Sequence, residues 1–176
     1  MIQNKSTPAT LEVWQRGPIE GVPSLLQPVA HALLQTVDDV ARFLHGFEVE
    51  KLWIRPAGMA SVGFHLQHMA GVVDRLFTYA DGQPLNGDQL AFLKQEGIPR
   101  PGLETVEDHI RYLERQIGYA IDRLRTTDHT TLTETRLLGR QKIPTTQLGL
   151  LFHAAEHLQR HVGQLLVTVK WVQLVN

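Results

Sequence analysis

The chain has 176 residues, 43% hydrophobic and 20% charged, which fits one globular domain with a sizeable core and little room for a second. Lys and Arg total 17 against 18 Asp and Glu, a formal net charge of −1, so no long-range field attracts polyanions and no nucleic-acid partner is expected. Cysteine is absent, which excludes disulfides, Cys-based zinc fingers, iron–sulfur ligation and a cysteine nucleophile.

The first residues, Met1 to Lys5, lack the apolar run of a secretory signal. No stretch approaches the roughly 20 consecutive apolar residues of a membrane helix; the longest candidate, Val162 to Val172, is interrupted by Gly163, Gln164 and Lys170. No membrane association and a cytoplasmic location are therefore expected. Residues 1–21, punctuated by Pro8, Gly17, Pro18 and Gly21, read as an N-terminal arm, and residues 22–176 as a single helical domain.

From Pro23 the apolar residues Leu26, Val29, Leu33, Val37, Val40 and Leu44 step by three or four, the period of an amphipathic helix that Gly46 ends. A connector with Trp53, Pro56 and Gly58 leads to a second helix from near Ser61, with Val62, Met69, Val72, Val73, Leu76 and Phe77 on its apolar face and Asp81-Gly82 as its stop. A short helical piece is expected around Gln89–Gln95, before the break at Pro99, Pro101 and Gly102. Thr105 with Asp108 reads as a capping box that opens a third long helix, striped by Val106, Ile110, Leu113, Ile117 and Leu124. Thr126 to Thr146 reads as an irregular or hairpin connection, and the last helix runs from about Thr145 to near Val172. Four long amphipathic segments predict an all-α fold, a four-helix bundle.

Five of the nine histidines fall in two groups, His65 and His68 on the second helix and His153, His157 and His161 on the last. A four-residue step advances a helix roughly 40° past a full turn, so the last three imidazoles share one strip, with Gln164 on the same strip. Leu151, Leu158, Val162, Leu165 and Val169 occupy the other side of that helix, which turns the strip toward a polar cleft, a ligand or solvent. An H-x-x-x-H pair on a helix brings two imidazoles within reach of one metal ion. A third from a packed neighbour leaves coordination positions open for water or substrate, as in catalytic sites. Imidazole suits zinc, nickel, iron or copper, and the spacing alone leaves both His65 and His68 open as the third ligand.

A solvated polar face explains one such pair; three histidines in register and two more on a second helix favour a metal. Between His157 and His161 stand Leu158, Gln159 and Arg160, so the glutamate base of the helical zinc proteases is absent. Glu156 is offset about 100° from His157 and is set aside as a ligand. His31, His45, His109 and His129 read as surface or core-edge residues, Trp14, Trp53 and Trp171 as packing residues, and Asp74 as a surface charge. No phosphate-loop spacing occurs, so nucleotide binding has no support.

Two blocks carry a resemblance. Ser61-Val62-Gly63-Phe64-His65-Leu66-Gln67-His68-Met69-Ala70 is similar to the second-helix signature of the DinB-like superfamily, the damage-inducible and bacillithiol-transferase type. The stretch from His153 through His157 and His161 to Gly163-Gln164-Leu165 resembles that family's H-x-x-x-H-x-x-x-H-x-G-Q-L block, with Val162 where the family often has Arg. The resemblance implies a four-helix bundle holding a divalent metal (zinc, nickel or iron) on one second-helix histidine and two from the last helix. Carried over by position these are His68, His157 and His161, since His68 directly precedes Met69-Ala70. His65, His153 and Gln164 are then residues of the cleft or of the layer behind the ligands. Relatives of this kind include S-transferases and isomerases that use a low-molecular-weight thiol, whose pKa the metal lowers; they often pair as homodimers.

The expected function is therefore that of a metal-dependent thiol S-transferase or related enzyme acting on a small-molecule substrate, with a homodimer as its assembly. The competing readings are a non-enzymatic bundle that binds a small ligand or a structural metal, and a metal-dependent hydrolase.

Overall fold

A computed structural model describes residues 11–174; the first ten residues of the expected arm and the last two of the chain lie outside them. Five α-helices and one small hairpin follow one another: α1 (Gln27–Phe43), α2 (Val62–Ala80), α3 (Gly87–Gln95), α4 (Val106–Thr126), β1 (Thr135–Leu138), β2 (Ile143–Thr146) and α5 (Gln147–Leu174). The four long helices form a ring in which α1 and α2 each pack against both α4 and α5, while α3 lies against α2. This is the expected bundle, with α3 as the short helical piece and the hairpin as the connection before the last helix. Among the described residues no helix is long and apolar enough to cross a membrane.

The start of each element has a local cause. Pro23 opens a 3₁₀ turn over Ser24–Leu26 rather than the first helix itself, and α1 begins only at Gln27, with Pro28 in its first turn; a proline there gives up no helical hydrogen bond. The Ser61 hydroxyl accepts from the Phe64 amide at 3.1 Å to start α2. Reciprocal capping boxes start α3 (Asn86 with Gln89) and α4 (Thr105 with Asp108). The hairpin pairs Thr135 with Thr146, so α5 starts two residues after the expected Thr145.

Leu26, Leu33 and Val40 near and on α1, Leu66, Met69 and Phe77 on α2, Leu113, Ile117 and Leu124 on α4, and Leu158, Leu165 and Val169 on α5 are buried in one contiguous core. Burying each such side chain contributes about 1.5–3 kcal/mol, enough to set the helix faces without specific polar bonds. Two of the residues read as packing aromatics differ: Trp14 and Trp171 are 62% and 49% exposed. His109 differs in the other direction. It is buried, its Nδ1 lies 2.8 Å from the Thr105 carbonyl, and its ring meets Trp53 edge to face. One turn into α4, it folds back on its own helix cap, a polar contact that helical periodicity does not reveal.

Trp53 also explains a glycine. A Cβ at Gly63, in the first turn of α2, would sit 2.5 Å from the Trp53 ring, whereas one at Gly118, exposed in α4, would meet nothing. Gly63→Ala is expected to cost about 1–3 kcal/mol through overpacking. Gly118→Ala is expected to stabilise by about 0.5–1 kcal/mol through helix propensity. Urea unfolding of the two variants beside the wild type measures both; equal midpoints for the two would refute the role given to Trp53.

Candidate metal centre

The seam between α2 and α5 brings together the two histidine groups. His68 Nε2 lies 3.0 Å from His157 Nε2, and His65 Nδ1 lies 3.0 Å from His161 Nδ1. The ring centroids of His68 and His157 are 5.3 Å apart, and that of His161 lies 4.6 Å from His68 and 4.7 Å from His157. One nitrogen from each of His68, His157 and His161 lies within 4.8 Å of the other two. The three residues carried over from the motif thus meet at one point, although 89 positions separate His68 from His157.

Two of the three outward nitrogens have partners. His68 Nδ1 lies 2.7 Å from a Glu96 carboxylate oxygen, and the other Glu96 oxygen accepts from Arg75 at 2.6 Å. Donation to Glu96 protonates Nδ1 and leaves a lone pair on Nε2. His161 uses Nδ1 toward His65, leaving Nε2 for the shared point. His157 Nδ1 is buried with no partner, so its Nε2 is the only nitrogen engaged, and it faces another imidazole nitrogen. Two such nitrogens share a single proton, whereas a cation uses both lone pairs. Tetrahedral Zn–N bonds of about 2.0–2.1 Å place neighbouring ligand nitrogens about 3.3 Å apart, close to the 3.0 Å between His68 and His157 and inside the 4.8 Å that spans all three. The residues present fit a divalent ion.

Burial and mutual repulsion favour the neutral form of His65, His157 and His161, the form that metal ligation needs. Burial, then the neighbouring His68, His157 and His65, brings His161 down to about 3. Burial and then His68 bring His65 down to about 4. His157 is lowered as well, by burial first and then by His68. Phe64 stacks on His68 with centroids 5.2 Å apart and planes 11° apart, and its ring is edge-on to His65, so the group is packed on an apolar face.

His65 is buried behind His161, and His153 lies at the rim, its Nδ1 2.6 Å from Glu156. Glu156, set aside on its angular offset, still reaches His153 and is held by Arg160 through both oxygens. A second group of potential ligands, His153, Glu156 and His157, follows from this contact. Gln164 is exposed, and among the described residues its side chain makes no hydrogen bond. Asp74 is half-buried and accepts from Gln89 at 2.9 Å, so it is a tie between α2 and α3 rather than a free surface charge. Beside Phe64 and Glu96 opens a cavity of about 440 Å³, also lined by Arg55, Met59 and Ile98.

The sequence model of the DinB superfamily matches residues 32–165, from within α1 through all five clustered histidines. The chain belongs to the DinB superfamily. Among solved structures it is similar to a conserved protein from Enterococcus faecalis, at 16% identity and a TM-score of 0.66, over 85% of this chain and 98% of that one; identity this low speaks for the fold alone. No curated protein matches the chain. Glu96 is the residue of this cluster that sequence reasoning missed. It is one of 18 acidic residues, sits just after a nine-residue helix, and no local spacing marks it.

The lowered pKa values fix a pH dependence for the metal-free protein. Above pH 6.5 His65 and His161 are neutral in both states and contribute nothing. Below it the unfolded chain takes up protons that the folded one refuses, so stability falls as the pH drops from about 6.5 toward about 4. Urea midpoints of chelator-treated protein are expected to decline from about pH 7.5 to about pH 5, above most carboxylate titration, and to decline less in His65→Asn. A midpoint independent of pH over that range would contradict the burial of these rings.

Proposed function

We propose that His68, His157 and His161 hold a divalent metal and that the protein is a metal-dependent thiol S-transferase or a closely related enzyme. The observation that carries this reading is the convergence of three imidazoles with two outward nitrogens already engaged. Zinc, nickel and iron all suit such a nitrogen set. When bound, the ion supplies Lewis acidity that lowers the pKa of a thiol at an open coordination position.

The chain's own residues account for the remaining requirements. It has no cysteine, so the thiol belongs to a low-molecular-weight cosubstrate. His65 and Glu96 orient two of the ligand rings, and Phe64 shields them from water on one side. The cavity beside Phe64, with Met59 and Ile98 as apolar walls and Arg55 at its edge, has room for a small electrophilic substrate. His153, paired with Glu156 at the rim and with its ring centroid 5.2 Å from that of His157, is the base we assign to accept a proton from the thiol. Exposed Val167 and Trp171, one turn apart on α5, support the pairing of two bundles into a homodimer.

Elemental analysis of protein made without a histidine tag tests the first half of this reading. About one equivalent of divalent metal is expected for a single three-nitrogen site. It is expected to be lost in a folded His68→Ala/His157→Ala variant and retained in His45→Ala. Conjugation of small thiols to model electrophiles, with and without chelator, tests the second half. Metal without metal-dependent conjugation leaves a structural or ligand-binding bundle, and no metal removes the enzyme reading.

A further inference from the structure

We infer that Glu96 is a positioning residue for the histidine centre: it fixes the tautomer and aim of His68, and Gln67, Arg75 and Gly71 hold it in place. The inference rests on the metal-centre reading above and assigns to it a carboxylate that no ligand motif contains.

Four observations place Glu96 under His68. Its side chain is 5% exposed, and both of its oxygens are engaged, one by His68 at 2.7 Å and the other by Arg75 at 2.6 Å. Arg75 is itself buried on α2, two turns beyond His68, so the guanidinium holds the carboxylate in place from the side away from the imidazole. The loop that carries Glu96 is clamped by the buried Gln67. Its Oε1 accepts from the Gly97 amide at 2.7 Å, and its Nε2 donates to the Ile98 carbonyl at 3.0 Å. Gly97 has φ +86 and lies against Phe64, a left-handed backbone that suits glycine and turns the chain directly after Glu96.

The fourth observation is Gly71. A Cβ there would stand 2.6 Å from Arg75 Nη1 and 2.6 Å from Glu96 Oε1, so the ion pair lies over a bare stretch of the α2 backbone. The residue is glycine because the pair passes there.

The physical consequence concerns the direction of a lone pair. A neutral imidazole carries its proton on either nitrogen, and only the Nδ1–H tautomer offers Nε2 to a metal. A charged acceptor on Nδ1 selects that tautomer and stops the ring from flipping. A purely structural ion pair stabilises the fold and leaves the tautomer free, so the two roles have different signatures.

Two measurements separate them. The first uses metal-free ¹⁵N-labelled protein near pH 8 and reads the His68 tautomer from its long-range ¹H–¹⁵N pattern. Wild type is expected to show Nδ1–H, and Glu96→Ala a mixture. The second measures zinc affinity by competition with a chromophoric chelator. Glu96→Ala is expected to weaken it about 10- to 100-fold, as the loss of such partners commonly does, and Glu96→Gln less.

Gly71→Ala is expected to weaken zinc binding in the same direction with His68 and Glu96 both present, and serves if Glu96→Ala fails to fold. An unchanged tautomer together with unchanged zinc affinity in folded variants overturns the inference, whatever happens to their melting temperature. If wild type takes up no zinc, the metal reading fails instead, and the tautomer experiment still decides whether Glu96 sets His68.

Discussion

The packing of α2 against α5 is the constraint on which the histidine centre depends. His65 and His161 are 96 positions apart and His68 and His157 are 89 apart, so no local structure brings either pair within 3.0 Å. The apolar faces of the two helices do so, with Leu66, Met69 and Ala70 on one and Ala154, Leu158 and Leu165 on the other, all buried. Burial opposes protonation of His65, His157 and His161, and this desolvation keeps their lone pairs available.

Around the rings the protein adds a layer that is polar and nearly satisfied. Glu96, Arg75 and Gln67 are all buried and all hydrogen-bonded. A buried polar group without a partner costs about 1–3 kcal/mol, so a network of this kind is either complete or harmful. Where it is incomplete, at His157 Nδ1, the gap lies within the histidine group itself. Arg100 Nη1 and His109 Nε2 are likewise buried without a partner, so His157 is one of three side chains among the described residues that depart from the ordinary rule that buried polar atoms are paired.

The rim has a different character. His153, Glu156 and Arg160 are partly exposed and linked to one another through i,i+3 and i,i+4 contacts on α5. Their pairing is local and weaker than the network behind His68, since exposed ion pairs of this spacing contribute only about 0.3–0.5 kcal/mol. A rigid inner layer beneath an adjustable rim suits a site whose ligand geometry is fixed while its substrate varies.

Most of the architecture was legible in the residues taken in order. The apolar period of three and four marked the long helices, the Thr105–Asp108 box marked the start of α4, and the spacing of His153, His157 and His161 placed three imidazoles on one strip of α5, because helix geometry is local and repeats. The meeting of that strip with His68 was legible only through the motif, since spacing left His65 and His68 equivalent. The tertiary structure gave each its own partners, His65 with His161, and His68 with Glu96 and His157. It also buried His109 and tied Asp74 to Gln89. Glu96 could not be read in advance: it comes from a loop after a short helix, and its position depends on Gln67, Arg75 and the empty space at Gly71. Periodicity determines which face a helix buries, but the partners of a buried polar group are chosen by whatever other segment folds against it.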